Sequence, residues 1–493
     1  MQGPLHIYFQ KLGKTRCPAQ RKTLNITTNN ESAFNIDPGT HLMTSHTPLF
    51  QPLRSRQRLQ AGLAGLALLA ALPSHALDFG PDGMFSLNGF AEVTTTQQGS
   101  YCLHCQVADP NASKQIKTSD AIIPGRKYGD TSTLNWQVQP DLSFNYNLGQ
   151  GYKLGGKLGQ RWREGFVNGN DIETRYGGLV DVPDYWYNKN LSLSHEDYGT
   201  VTVGSMVTRG WGVADFPYGG NVGLSSAWGA SGAGYGMLAN AVRVASRTLD
   251  VANGDLFVEA SYDQGNTNFS RLKPEFWELY AQYHQGDLVL DAVLQDATNG
   301  GPGAWGHAPF SAVTPFSLDD KNPALQGNHQ SIAMLMGRYQ ATSQIELTAG
   351  IRRNEWKGAN LVYNPLTNWV TAFNVDYSNT NYRGYSAVSY DGMLGLRYRV
   401  NKWILSTGLV YLGTADTANP SERGQSNSAL INTLNANYEF GNGWLFESTF
   451  GMVHYNRLGL SPLSMPGNDS FSNVDSRISQ DGRWLTVGML YAF

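Results

Sequence analysis

Cysteine, charge and long apolar runs are all scarce in this sequence of 493 residues. Charged residues make up only 15%, where a soluble domain carries about a quarter. Beyond residue 76 there is no run of about 18 apolar residues, so no helix is expected to cross a membrane. A mean hydropathy of −0.35 agrees with that. The three cysteines are Cys17, Cys102 and Cys105, too few for a disulfide scaffold or a four-cysteine zinc site. No HExxH, GxSxG or Walker pattern occurs, so no enzyme is expected, and no cofactor or metal. What the chain has instead is 55 glycines and 12% aromatic residues.

The N-terminus reads as a processed leader. Arg54, Arg56 and Arg58 precede "LQAGLAGLALLAALPSHA", a basic segment, an apolar core and a small-residue end. We expect 1–42 to be an upstream extension, 43–76 a signal peptide cleaved after Ala76, and 77–493 the mature chain. Residues 1–76 hold eight of the 36 Lys/Arg and two of the 39 Asp/Glu, so the mature chain has 28 against 37, a net charge of −9. That balance excludes a nucleic-acid partner held by basic contacts. Export places "YCLHC" in an oxidising compartment. A small Cys102–Cys105 disulfide and a metal site of Cys102, His104 and Cys105 are both open readings.

Alternation dominates what remains. In "TLNWQVQPDLSFNYNL" the residues Leu134, Trp136, Val138, Leu142, Phe144, Tyr146 and Leu148 share one parity, and polar residues fill the other. This is a strand with one greasy and one polar face. After "GQG" the pattern resumes, a hairpin signal. Sixteen such segments are predicted, at 84–94, 132–148, 151–163, 189–196, 198–207, 237–247, 255–263, 275–285, 287–296, 330–341, 343–353, 385–400, 402–413, 428–440, 443–456 and 482–493. Short and long connections alternate strictly between them. The fold class expected is all-β: a transmembrane antiparallel β-barrel of 16 strands, with short periplasmic turns and long external loops. Closure of the first strand against the last would leave no unpaired edge in hydrocarbon. The final "WLTVGMLYAF" fits that seam, with Leu485, Val487, Met489, Tyr491 and Phe493 toward lipid.

Barrel parity also assigns the lumen. Lys153, Lys157, Arg161 and Arg163 form one inward row, because a cation facing lipid costs about 2–4 kcal/mol near the midplane. Arg352, Arg397 and Arg399 point inward as well, with Glu259, Glu278, Asp291, Glu346 and Glu447.

These features resemble the Gram-negative general porins. The resemblance rests on the leader, "FSLNGFAEV" as first strand, "HEDYGTVTVG" before the third long loop, and the terminal "YAF". It implies a channel in the cell outer membrane for ions and small hydrophilic solutes. It also implies a homotrimer surrounded by outer-membrane lipid, and a terminal Tyr491/Phe493 signal read by the barrel-assembly machinery. The third loop, 208–236, would fold inward as a constriction, bringing Arg209 and Asp215 to face the Lys157/Arg161/Arg163 wall. The lumenal cations could instead merely pair with inward acids, and the charge selectivity is left open. Two alternatives stand beside the channel. One is a substrate-selective porin using Trp211, Phe216 and Trp228 as a stacking surface; the other is a barrel-anchored surface interaction protein without an open pore.

Overall fold

The computed structural model describes residues 76–100, 131–164, 186–230, 237–264, 275–298, 329–357, 360–364, 369–373, 386–414, 416–418, 428–457 and 480–493. The expected leader and the Cys102/Cys105 pair lie outside the described residues.

Sixteen strands form a closed antiparallel barrel. They are β1 (Phe85–Ser100), β2 (Thr131–Gly149), β3 (Tyr152–Gln160, resuming at Trp162–Glu164), β4 (Trp186–His195), β5 (Gly199–Val207), β6 (Met237–Ala245), β7 (Gly254–Asp263) and β8 (Glu275–Gln285). There follow β9 (Leu288–Thr298), β10 (His329–Gln340), β11 (Ile345–Lys357), β12 (Ser386–Val400), β13 (Trp403–Leu412), β14 (Ala429–Gly441), β15 (Trp444–Tyr455) and β16 (Asp481–Ala492). Each pairs with its sequence neighbours, and β16 returns to β1 from Phe90↔Ala492 to Ser100↔Gly482. Phe493 extends the seam. Its N–H donates to the Gly89 carbonyl at 3.0 Å, and its carbonyl accepts from Gly89 N–H at 2.9 Å.

The short connections are where turn chemistry placed them. Asn401 takes φ 53° in the two-residue turn between β12 and β13, and Asn442 takes φ 50° between Gly441 and Gly443. Asn and Gly tolerate this left-handed conformation, whose twist matches that of the flanking strands.

Sidedness follows parity. On β13, Trp403, Leu405, Leu409 and Tyr411 are exposed on the outer face, while Ile404, Ser406, Val410 and Leu412 are buried within. The outer surface carries Leu191, Leu193, Leu294, Leu335, Leu394 and Leu434 in the same way, as a lipid-facing barrel requires. Arg353 and Glu355 lie on the outward parity near the end of β11 and pair with each other at 2.8 Å.

The inner wall is of two kinds. On β1 and β2 it is polar: Asn88, Glu92, Thr94 and Thr96 lie beside Asp141, Gln137, Asn135 and Thr133. From β9 to β15 an apolar patch of Val293, Ile332, Met334, Met336, Met393, Val410, Ile431 and Val453 is buried inside the barrel among buried polar groups such as Asp291, Arg352, Asp391 and Thr433. At those positions the strand is apolar on both faces. The inner apolar surface is covered by the third long loop, so the hydrophobic core of this barrel lies within it.

Candidate functional site: the constriction

The third loop leaves β5 at Thr208, whose hydroxyl accepts from Trp211 N–H at 3.4 Å and caps the short helix α1, Arg209–Val213. Irregular helical turns continue to Ala230, broken at Phe216, where the backbone is extended. The loop folds into the barrel and packs against one wall.

Four buried acids hold it there. At the root, Glu278 accepts the N–H groups of Arg209 and Gly210 at 2.7 and 2.8 Å, satisfying donors that the first helical turn leaves free. Beside it, Glu259 takes both Arg209 (2.7 Å) and Arg243 (3.0 Å). Burial disfavours the Arg209 charge, but Glu259 outweighs it and the guanidinium pKa rises. Midway, Asp291 accepts from Tyr218 at 2.6 Å, from Tyr280 at 2.5 Å and from Gln282 at 2.8 Å. At the far end, Arg352 donates twice to Asp391, at 3.0 and 2.8 Å, and once to the Trp228 carbonyl at 2.8 Å. Its guanidinium stands 4.6 Å from the Trp228 ring centre.

Glycines shape the seat. The register places Thr348, Gly395, Gly408 and Thr433 in one row across β11 to β14. A Cβ at Gly395 would meet Val222 at 2.9 Å, one at Gly408 would meet Val222 at 2.9 Å, and one at Gly350 would meet Trp228 at 2.7 Å. Glycine inside a strand marks a close approach by another part of the chain, here the loop. Thr433 completes the row by donating to the Val222 carbonyl at 2.5 Å.

The opposite wall stays polar and faces the loop's free side. Arg161 donates to Gln139 at 2.6 Å and stands 5.9 Å from the Phe90 ring centre and 6.0 Å from that of Trp211. It thus spans from wall to loop. Asp215 accepts from Ser225 and lies within electrostatic range of Arg161. Burial pushes the Asp215 carboxyl above its ordinary pKa, with Ser225 and Arg161 pulling the other way. Glu92 accepts from Gln137 and feels both charges.

The sequence-derived residues therefore separate. Arg161 and Asp215 come within electrostatic range of each other, one on the wall and one on the loop. Lys157 is on the same wall but pairs with Asp141 at 3.2 Å. Lys153 is half-buried near the short-turn end, in register with Asn147 and Ser194. Arg163 pairs through its backbone with Gln137; its side chain lies outside the described residues. Arg397 lies near Glu346 at 3.9 Å. Arg209 pairs with Glu259 while its side chain stays 38% exposed. One expectation needs correction: Arg352 is inward but wholly buried under the loop, since parity gives the side of the sheet, not what covers it. Trp228 is likewise no stacking surface, being 0% exposed. The anchoring partners Asp391 and Arg243 were missed, as was the inward Phe90. The glycines at lumenal positions and the inward methionines of β10 and β12 were their available signals.

At the seam, Tyr491 packs on Trp444 at 4.7 Å and on Phe493 at 6.0 Å.

No family model matches the chain, and no curated protein matches its sequence. Solved structures do match in shape. OmpF of Salmonella typhi aligns with a TM-score of 0.50 at 11% identity, covering 85% of this chain and 100% of that one. The anion-selective porin from Comamonas acidovorans gives 0.49 at 13%, with 83% and 99% covered. The outer membrane channel DcaP of Acinetobacter baumannii gives 0.45 at 13%, with 84% and 99% covered. At these identities the likeness is one of fold alone: the chain shares with these proteins a closed antiparallel β-barrel, here of sixteen strands.

Proposed function

We propose that this barrel is a passive diffusion channel for ions and small hydrophilic solutes, not an enzyme, and that the loop from Thr208 narrows its lumen. The observation that carries the reading is the division of the inner wall. The loop is fixed to the β7–β14 side, which leaves the polar β1–β3 wall facing it across Arg161 and Asp215. Water reaches this space: inside the barrel the side chain of Lys157 is 31% exposed, and Phe216 is 43% exposed. A guanidinium opposite a carboxylate sets up a transverse field that favours dipolar solutes over apolar ones.

Assembly as a homotrimer, and recognition of Tyr491 and Phe493 by the barrel-assembly machinery, belong to the same reading and rest on the resemblance. Reconstitution in planar bilayers tests the channel. Discrete conductance steps are expected; a chain that inserts and gives none would instead be a surface anchor with a plugged lumen.

A further inference from the structure

A water-filled lumen needs no apolar lining on its open side, yet this one has it. Phe90 sits on the inward parity of β1, between Gln139 on β2 and Ala492 on β16. Leu490 and Leu445 are inward and directly paired, and Leu490 is in turn paired with Glu92. From the loop, Trp211 approaches Arg161, and Phe216 projects beside Asp215 with 43% of its surface exposed. Exposed aromatic and aliphatic surface inside a concave, mostly polar space is the lining of a ligand subsite.

The charges around the strip are unequal. Glu92 lies within electrostatic range of Arg161 and Asp215, and Glu447 within range of Glu92. Two acids, Glu92 and Asp215, thus share one guanidinium, which is already bonded to Gln139 and flanked by two rings, and Glu447 stands behind Glu92, next to the Leu445–Leu490 pair. Aromatic faces and carboxylates attract the same partner, a cation, and the rings favour one that is weakly hydrated.

We propose that the constriction holds a subsite for organic cations, small amines or quaternary ammonium ions with an apolar or aromatic body, read by Phe90, Phe216 and Glu92. This deepens the channel reading and rests on it. The carboxylates draw the charged head, while Phe90 and Phe216 receive the body. Simple inorganic cations share the electrostatic attraction but gain nothing from the strip.

The test uses the full barrel in planar bilayers in potassium chloride, with benzyltrimethylammonium, tetramethylammonium or benzoate added to one side. Benzyltrimethylammonium is expected to interrupt the current with resolvable dwell times, tetramethylammonium with much shorter ones, and benzoate not at all. Phe90→Ala with Phe216→Ala should shorten the benzyltrimethylammonium dwell about tenfold, the product of two exposed ring–cation contacts. The potassium chloride conductance should stay equal or rise. Phe216→Ala alone, at an exposed position that folding does not need, should give about a threefold shortening and guards against a misfolded double variant. Glu92→Gln should slow the entry of both ammonium ions. Benzoate interrupting the current as much as benzyltrimethylammonium would overturn the proposal, and so would dwell times that ignore both phenylalanines. Absence of any conductance step would be the separate failure of the channel itself.

Discussion

Replacing Arg352 with alanine should unseat the far end of the loop. The wild-type guanidinium makes two bonds to Asp391 and one to the Trp228 carbonyl, with both ionic side chains 0% exposed. Removing one partner of a buried ion pair costs about 3–5 kcal/mol, because the other charge is left without compensation. Asp391 keeps donors from Asn354 at 2.8 Å and Gly413 at 2.9 Å, which argues for the low end, about 3 kcal/mol. The Trp228 carbonyl loses its Arg352 donor as well, adding about 1 kcal/mol or more. Urea titration of the refolded barrel in lipid vesicles, followed by tryptophan fluorescence, reads this directly. The double variant Arg352→Leu with Asp391→Leu should recover much of the loss, since no lone charge stays buried. Arg161→Ala, at a partly exposed site, should change stability by about 1 kcal/mol or less. If Arg352→Ala unfolds within about 0.5 kcal/mol of wild type, the anchoring account is refuted and Arg352 belongs in lumen water after all.

Other outcomes follow from the same geometry. Gly408→Val fills space that Val222 and Leu224 occupy, so it should destabilise the barrel by about 1–3 kcal/mol or push the loop into the lumen and lower the conductance. Because burial raises the Asp215 pKa, its negative charge should disappear at a higher pH than for an exposed aspartate as the solution is acidified. Reversal potentials should then shift toward anions on acidification, and Asp215→Asn should remove that shift. Leu394→Arg, on the exposed outer face, should cost about 2–4 kcal/mol in lipid vesicles if it lies near the midplane. Deleting Phe493 removes both of its bonds to Gly89 and its stack on Tyr491, and impaired insertion in cells is expected.

The barrel was legible because period-two alternation states which face meets hydrocarbon, and every strand had to obey it. The turns were legible for a related reason: Asn401 and Asn442 sit where a left-handed residue is needed. The seat of the third loop was legible only where it keeps the same rule. Arg161 and Asp215 occupy a polar wall and the loop that faces it. The other wall defeats a one-strand reading. Met334 and Met336 on β10 look like a break in pattern until the loop is laid over them. Arg352 looks like a lumenal cation until Trp228 covers it. Such contacts join residues more than a hundred positions apart, and no local period encodes them. Gly395 and Gly408 are the exception. A glycine facing inward in a strand announces that something else comes close, and here it is the loop.

The most direct test is the reversal potential of two variants in a salt gradient across a planar bilayer. If the proposed constriction lies where Arg161 and Asp215 come within electrostatic range, Arg161→Ala should move selectivity toward cations and Asp215→Asn toward anions, each in channels that still open in discrete steps. Shifts in the same direction, or no shift in either variant, would contradict the account.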